Sequence, residues 1–243
     1  MNTKLQKIAF SIEENPYESS GHIYHPLPFP EFQHLKTSSA VKSAYRKWDL
    51  IARSLRLSSF PFDHQVLDVG ANAGFYSFCF AKRGAKVDAY EPHKYYAEIG
   101  RQIVDATGLH VQWQNKQLEP GDLVAKKYEI TLMLSVFQWI SQGDQHLQEA
   151  TNLLRLTASS SRYLFFELGC NQGKSAISTR ERPIAWVWRL LQQTTAPKSI
   201  AFLGTAVAWG KARRHLFVCT DGPVYLTPWQ RLVTYLLRNR WIR

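Results

Sequence analysis

Val66-Leu67-Asp68-Val69-Gly70-Ala71-Asn72-Ala73-Gly74-Phe75-Tyr76, followed by Tyr90-Glu91-Pro92, decides how this chain is read. An apolar run ending in Asp-x-Gly-x-Asn-x-Gly predicts a strand, a tight glycine turn and a helix. The carboxylate of Glu91, 23 residues past Asp68, then falls at the end of the following strand. In open α/β sheets such a unit brings backbone amides and one acid to a nucleotide, the acid reaching the ribose hydroxyls. Spacing narrows the choice of nucleotide. A dinucleotide fingerprint wants glycine at its first, third and sixth places, which here are Gly70, Asn72 and Phe75, so NAD is disfavoured. No Gly-x-x-x-x-Gly-Lys-Ser/Thr occurs, so a phosphate-cradling P-loop is absent.

Around this unit the chain alternates strands near 65–69, 86–91, 110–114, 129–135 and 163–168 with helices near 74–83, 93–107 and 144–156. That rhythm predicts an α/β fold, a parallel sheet with both faces covered. Residues 1–38 are rich in Pro, Phe, His and Tyr and read as an irregular arm. Ser38-Ser39 reads as the cap of a helix through about Leu57, with Val41, Tyr45, Trp48, Ile51, Ala52 and Leu55 on one stripe. Pro183 opens a short helix. Ile200–Val207 and His215–Thr220 read as an antiparallel pair, with Gly210 to Arg214 in the turn between them, and Pro228 opens a last helix from Trp229 to Trp241. The expected organisation is an N-terminal arm and lid helix over 1–58, a nucleotide-binding domain over 59–227 with an insertion at 183–198, and a basic amphipathic helix over 228–243.

Glycine at the first and fifth places, with an acid two residues before the first, resembles motif I of the class I S-adenosylmethionine-dependent methyltransferases. The likeness extends to Glu91 and to the fourth strand, Ile130 to Phe137, and covers roughly residues 60 to 170. It implies a Rossmann-like seven-stranded methyltransferase sheet with helices on both faces and S-adenosyl-L-methionine as cofactor. The cofactor residues it implies are Asp68, Gly70, Asn72, Gly74, Tyr76, Glu91 and Ser135, with Gln117 and Leu118 at the adenine position, where the acid usual in the family is missing. Phe137-Gln138-Trp139, Phe165-Phe166-Glu167-Leu168 and the Arg214–Val218 strand resemble the methyltransferase domain of O-antigen chain-terminating enzymes and related glycan or small-molecule O-methyltransferases. Gln138 and Trp139 replace a histidine pair of that group, and Gln138 cannot serve as a general base.

Methyl transfer from a sulfonium is an in-line displacement, so positioning is most of the task. Glu167, ending the fifth strand, is a candidate acceptor-orienting carboxylate or base, or a cap of the next turn; Gln138 is the other candidate beside the reacting groups. An acceptor that is already anionic needs no base, and Arg213-Arg214 could orient it. No Asn/Asp-Pro-Pro-Tyr/Phe follows the fourth strand, which argues against adenine-N6 chemistry. No Pro-Cys context marks cytosine-C5 chemistry. His93 and His146 read as surface or capping residues, and no His/Asp/Glu set has metal-ligand spacing.

Composition bounds the remaining classes. At 243 residues and 45% apolar the chain is long enough for one domain with a full core. No run of 18 apolar residues predicts a spanning helix. Met1 to Tyr17 carries Glu13 and Glu14 and lacks a secretory pattern, and Cys79, Cys170 and Cys219 form neither a zinc spacing nor an even disulfide set, so the cytoplasm is the expected compartment. Lys and Arg exceed Asp and Glu by +3 over residues 1–60 and by +10 over 174–243, against −2 over 61–173. A basic block attracts polyanions. Its Trp229, Leu232, Val233, Leu236 and Leu237 stripe, with arginines around it, suits an anionic membrane surface or packs on its own domain. The leading expectation is therefore a methyltransferase for a glycan or small-molecule oxygen, peripheral to a membrane in one form. The alternatives are an RNA methyltransferase using the basic block and a non-catalytic cofactor-binding subunit.

Overall fold

A computed structural model describes residues 2–17, 21–57, 63–171, 175–207 and 213–242. The chain groups into two compact units, Met1–Trp48 with Pro61–Leu118, and Asp49–Phe60 with Glu119–Arg243.

The first unit contains α1 (Thr3–Glu14), the start of α2 (Val41–Leu55), β1 (Gln65–Val69), α3 (Phe75–Ala81), β2 (Lys86–Tyr90), α4 (Lys94–Thr107) and β3 (Val111–Gln114). Val66, Leu67 and Val69 give β1 a buried run, and it pairs in parallel with β2, Asp68 opposite Ala89. β2 pairs in parallel with β3. α1 overturns the irregular arm expected over the first residues. Asn2 caps it by accepting from the Lys4 and Leu5 N–H groups, while its own amide donates to the Ala106 carbonyl at 3.0 Å. Leu5, Ala9 and Ile12, at helical spacing, form the buried face.

In α2 the buried positions are Ala44, Lys47, Ile51, Ser54 and Leu55, whereas Val41 and Tyr45 are exposed, so the inward face is turned from the stripe expected. Ser39 does not cap this helix; its hydroxyl bonds His25 Nδ1 at 2.8 Å, and the Ala40 carbonyl receives the first helical N–H groups.

Trp113 on β3 is the wedge of this unit. A Cβ built on Gly100 would lie 2.1 Å from its Cζ2, and one on Gly74 would lie 2.9 Å from the same atom and 2.8 Å from Phe78 Cε2. At Gly74 and Gly100 the indole lies too close for any side chain, while Phe78 of α3 meets it ring to ring at 6.3 Å.

The second unit holds β4 (Tyr128–Leu134), α5 (Phe137–Ile140), α6 (Leu147–Ser159), β5 (Ser161–Leu168), α7 (Pro183–Thr194), β6 (Ser199–Val207), β7 (Arg213–Thr220) and α8 (Pro228–Arg238). β4 and β5 run parallel, and β7 inserts antiparallel between β5 and β6. Arg213 and Arg214 belong to β7, opposite Val207 and Ala206, not to the turn where they were expected. The turn positions Gly210, Lys211 and Ala212 lie outside the described residues. The pairing of β6 slips between Phe202 and Gly204, and α8 takes up the disturbed backbone: Thr234 Oγ1 accepts from the Phe202 N–H, and Gln230 donates to the Leu203 carbonyl. An edge strand with a bulge is covered in this way. Val233 and Leu237 face that contact, but Trp229 and Leu232 of the expected stripe are exposed. Taken together, seven strands form one mixed sheet in the order β3-β2-β1-β4-β5-β7-β6, the Rossmann-like sheet expected.

Gly100 tests the wedge. Helix propensity alone would make Gly100→Ala stabilising by about 1 kcal/mol, whereas overpacking costs about 1–3 kcal/mol. With a contact of 2.1 Å to an indole, overpacking wins. Gly100→Ala should lower the thermal midpoint by several degrees, and Trp113→Leu in the same chain should make that alanine neutral or better. A single variant at or above wild-type stability would contradict the packing described.

Candidate functional site

The loop after β1 is built on three left-handed residues, Gly70 (φ 69), Asn72 (φ 53) and Gly74 (φ 97). Glycine adopts this region freely and Asn tolerates it better than most residues, which accounts for Asn72 between the two glycines. The Gly70 and Ala71 N–H groups both donate to the Tyr90 carbonyl, at 2.9 and 3.0 Å. This brings the loop to the end of β2, where Glu91 is only 7% exposed.

There the Glu91 carboxylate accepts one backbone N–H on each oxygen, from Asn72 on Oε2 and from His93 on Oε1, both at 2.8 Å. Burial raises its pKa above the ordinary carboxylate value, and the two backbone donors oppose that rise. A carboxylate oxygen can accept more than one donor, so each retains capacity toward a diol. Two polar atoms beside it, Asn72 Oδ1 and His93 Nδ1, are shielded from solvent and have no hydrogen-bond partner among the described residues. The Asn115 amide donates to the Glu91 and Pro92 carbonyls at 3.0 Å and fixes the same loop.

Asp68 sits one strand away at the end of β1 and accepts a 2.6 Å bond from Ser77. Burial pushes its pKa up to about 7; Ser77 pulls it down and Glu91 raises it further. Gly74, expected among the cofactor residues, is required by the Phe78 and Trp113 side chains. Tyr76, in the first turn of α3, is buried with His25 edge-on at 6.3 Å and the Lys47 ammonium 5.8 Å from its ring centre. His25 and Lys47, from the arm and α2, had no motif to mark them. Ser77 carried a signal that was legible: a hydroxyl one turn into the helix that follows Asp68. Of the adenine-side pair, Gln117 is exposed and Leu118 is fully buried.

A separate group lies in the second unit. Ser135 adopts a left-handed φ of 59 just past β4, its N–H donating to the Glu167 carbonyl and its hydroxyl to Glu167 Oε2. Gln138, buried on α5, donates to the Ser135 carbonyl at 2.7 Å, and its Oε1 is buried with no partner among the described residues. Glu167 has no exposed surface. Through Oε2 this enclosed carboxylate holds the Ser135 turn, the capping role expected beside the acceptor-orienting one. Ser135 thus forms one group with Glu167 and Gln138. Arg213 is exposed and Arg214 half-buried at the start of β7. Next to them His215 bonds Thr205 Oγ1 through Nδ1 at 3.1 Å, and burial pushes its pKa down to about 4, so the imidazole is neutral near pH 7.

Neither histidine singled out from sequence caps its helix through the side chain. His93 stacks edge-on against Tyr17, and His146 lies 3.9 Å from Glu149. Burial pushes all three cysteine thiols up to about 12, which leaves none as a thiolate nucleophile.

Residues 66–156 match a family model described as a methyltransferase domain. A ubiquinone biosynthesis O-methyltransferase of Methylocella silvestris is 26% identical over 109 residues, 41% of this chain and 42% of that protein. The bifunctional kinase-methyltransferase WbdD aligns with a TM-score of 0.72 at 17% identity, over 90% of this chain and 47% of that one. Magnesium protoporphyrin IX methyltransferase (ChlM) from Synechocystis PCC 6803, solved with S-adenosylmethionine bound, aligns at 0.57 and 18% identity over 90% of this chain and 95% of that one. The chain therefore spans less than half of the first two relatives. Sheet order, the Gly70–Gly74 loop ending against Glu91, and the match over residues 66–156 agree on a methyltransferase domain of Rossmann-like fold.

Proposed function

We propose that this protein transfers the methyl group of S-adenosyl-L-methionine to an oxygen of a glycan or small-molecule acceptor, and that the oxygen is already anionic, as in a phosphate or carboxylate. The Glu91 carboxylate carries the donor half of the reading: it is buried, oriented by the Asn72 and His93 N–H groups, and flanked by two unpartnered polar atoms. That arrangement fits a ribose diol, so Glu91 would hold the sugar and the buried Asp68 would answer the positive charge of the donor. Bound there, the donor supplies a methyl group on a sulfonium leaving group. The chain's own residues orient it and keep water from it.

The acceptor half rests on which proton acceptors are at hand. Gln138 has no basic group, Glu167 is enclosed, His215 is a weak base because burial pushes its pKa down to about 4, and no metal-ligating cluster of His, Cys, Asp or Glu occurs among the described residues. An oxygen that needs no deprotonation suits such a site, and a guanidinium grips an anionic oxygen strongly. Arg213 and Arg214 supply two. Trp139, 57% exposed on α5 beside Gln138, offers an apolar ring face of the kind that covers a sugar or aromatic acceptor. The relatives' names agree in part: one is an O-methyltransferase.

Three outcomes follow for the purified protein. By isothermal titration, Glu91→Ala should weaken donor binding at least tenfold while the unfolding midpoint stays within a few degrees of wild type; unchanged affinity would remove the donor reading. Asp68 gives a pH signature. In the folded, donor-free protein it keeps its proton to about pH 7, while in the unfolded chain it ionises near 3.8, so its contribution to stability falls as pH rises between those values. A cationic donor favours the ionised form, so affinity should rise across that window. At pH 6, heats measured in two buffers of unlike ionisation enthalpy should reveal proton release for wild type and much less for Asp68→Asn. For the acceptor, tritiated donor incubated with fractionated cell extract should label a glycan or small-molecule fraction. With the labelled acceptor in hand, Arg213→Ala and Trp139→Ala should raise its KM about tenfold and leave donor binding unchanged; label confined to RNA would favour a nucleic-acid substrate instead.

A further inference from the structure

The exposed side of α8 is not the side its own domain uses. Gln230, Val233 and Leu237 face inward, with Gln230 and Thr234 bonded to β6. At 100° per residue, Trp229, Leu232, Tyr235 and Leu236 form a neighbouring outward band, with Arg231 and Arg238 along its edge. Trp229 is 65%, Leu232 47% and Tyr235 56% exposed, and Trp241 just beyond the helix is 73% exposed. Apolar bulk of this size collected on one helix face calls for a partner.

Charge selects the partner. Residues 174–243 hold twelve Lys and Arg against two acids, and both acids are already engaged, Glu181 by Arg189 and Asp221 by Lys198. No carboxylate among the described residues pairs with Arg231, Arg238 or Arg240. Beside the end of α8 a groove of about 530 Å³ is lined by Ala185, Trp188, Leu237 and Ile242 with Arg189, Arg240 and Glu181, whose carboxylate Arg189 already holds. Aromatic rings, leucines and arginines along one helix are what the boundary of an anionic bilayer accommodates: rings and aliphatic chains enter the headgroup region while guanidinium groups meet phosphates. Nucleic acid would use the arginines and the ring faces, but it gains little from Leu232 and Leu236. No helix among the described residues is long and apolar enough to cross a membrane, so the contact is one of lying on the surface.

We propose that the outward face of α8, with the adjoining groove that Arg189 and Arg240 line, is a docking surface for anionic phospholipid bilayers. The full chain is incubated with vesicles of phosphatidylcholine alone or with 30% phosphatidylglycerol, and with a structured RNA of mixed sequence, at two salt concentrations. The protein should sediment with the anionic vesicles and far less with the neutral ones. Each neutralised arginine should weaken that binding about fivefold, so Arg231→Gln with Arg238→Gln should lower it by more than an order of magnitude. Trp229→Ser with Leu232→Ser should lower it at least tenfold. Because these four side chains are exposed, thermal midpoints should match wild type, and donor affinity, read in parallel, should not change. Three results would overturn the assignment: equal sedimentation with neutral and anionic vesicles, vesicle binding indifferent to Trp229 and Leu232, or RNA binding that the arginine pair controls while vesicles are ignored.

Discussion

A carboxylate that receives a backbone N–H on each oxygen organises the first unit. Glu91 cannot be held this way unless the loop after β1 turns three times through left-handed backbone and delivers the Asn72 N–H to it. The same turn sets the Gly70 and Ala71 N–H groups on the Tyr90 carbonyl, so the ends of β1 and β2 are tied by backbone before any side chain is counted. Burial raises the energy of the ionised carboxylates of Glu91 and Asp68, and hydrogen bonds return part of that cost. Two acids kept at strained protonation in one small region are what a positively charged, hydroxyl-bearing ligand would relieve.

The second unit solves a different problem with the same materials. Glu167 is spent on fixing a backbone turn, the left-handed Ser135, and Gln138 completes that arrangement from α5. Arg213 and Trp139 remain accessible, which is why the acceptor reading leans on anionic oxygen and not on proton abstraction.

Most of the first unit was legible because its signals are local. An apolar run, an acid, glycines at fixed offsets and a second acid follow one another within 26 residues from Val66 to Glu91, and each reports on its own backbone. The strand alternation was legible for the same reason, with bounds off by one or two residues. Features that depend on distant partners were not. α1 is a helix because Asn2 caps it and Leu5, Ala9 and Ile12 find α4, and its neighbourhood to proline-rich sequence masked that spacing. Lys47 reads as a surface charge until Tyr76 is seen beneath it. Glu167 was correctly assigned to a strand end, but no periodicity tells whether such an end opens to solvent or closes on a serine. The arginines at 213 and 214 were displaced because strand pairing extends the hairpin further than propensity near Gly210 suggests.

Trp113 gives the fold a dependence that runs across the sequence. Residue 74 must be glycine twice over, for its φ of 97 and for the indole, whereas residue 100 answers to the indole alone. Among descendants of this chain, a smaller residue at 113 would release position 100 to any good helix former while leaving 74 unchanged. The two positions therefore drift as a linked pair, and a glycine inside a helix becomes the inherited imprint of one aromatic ring on a neighbouring strand.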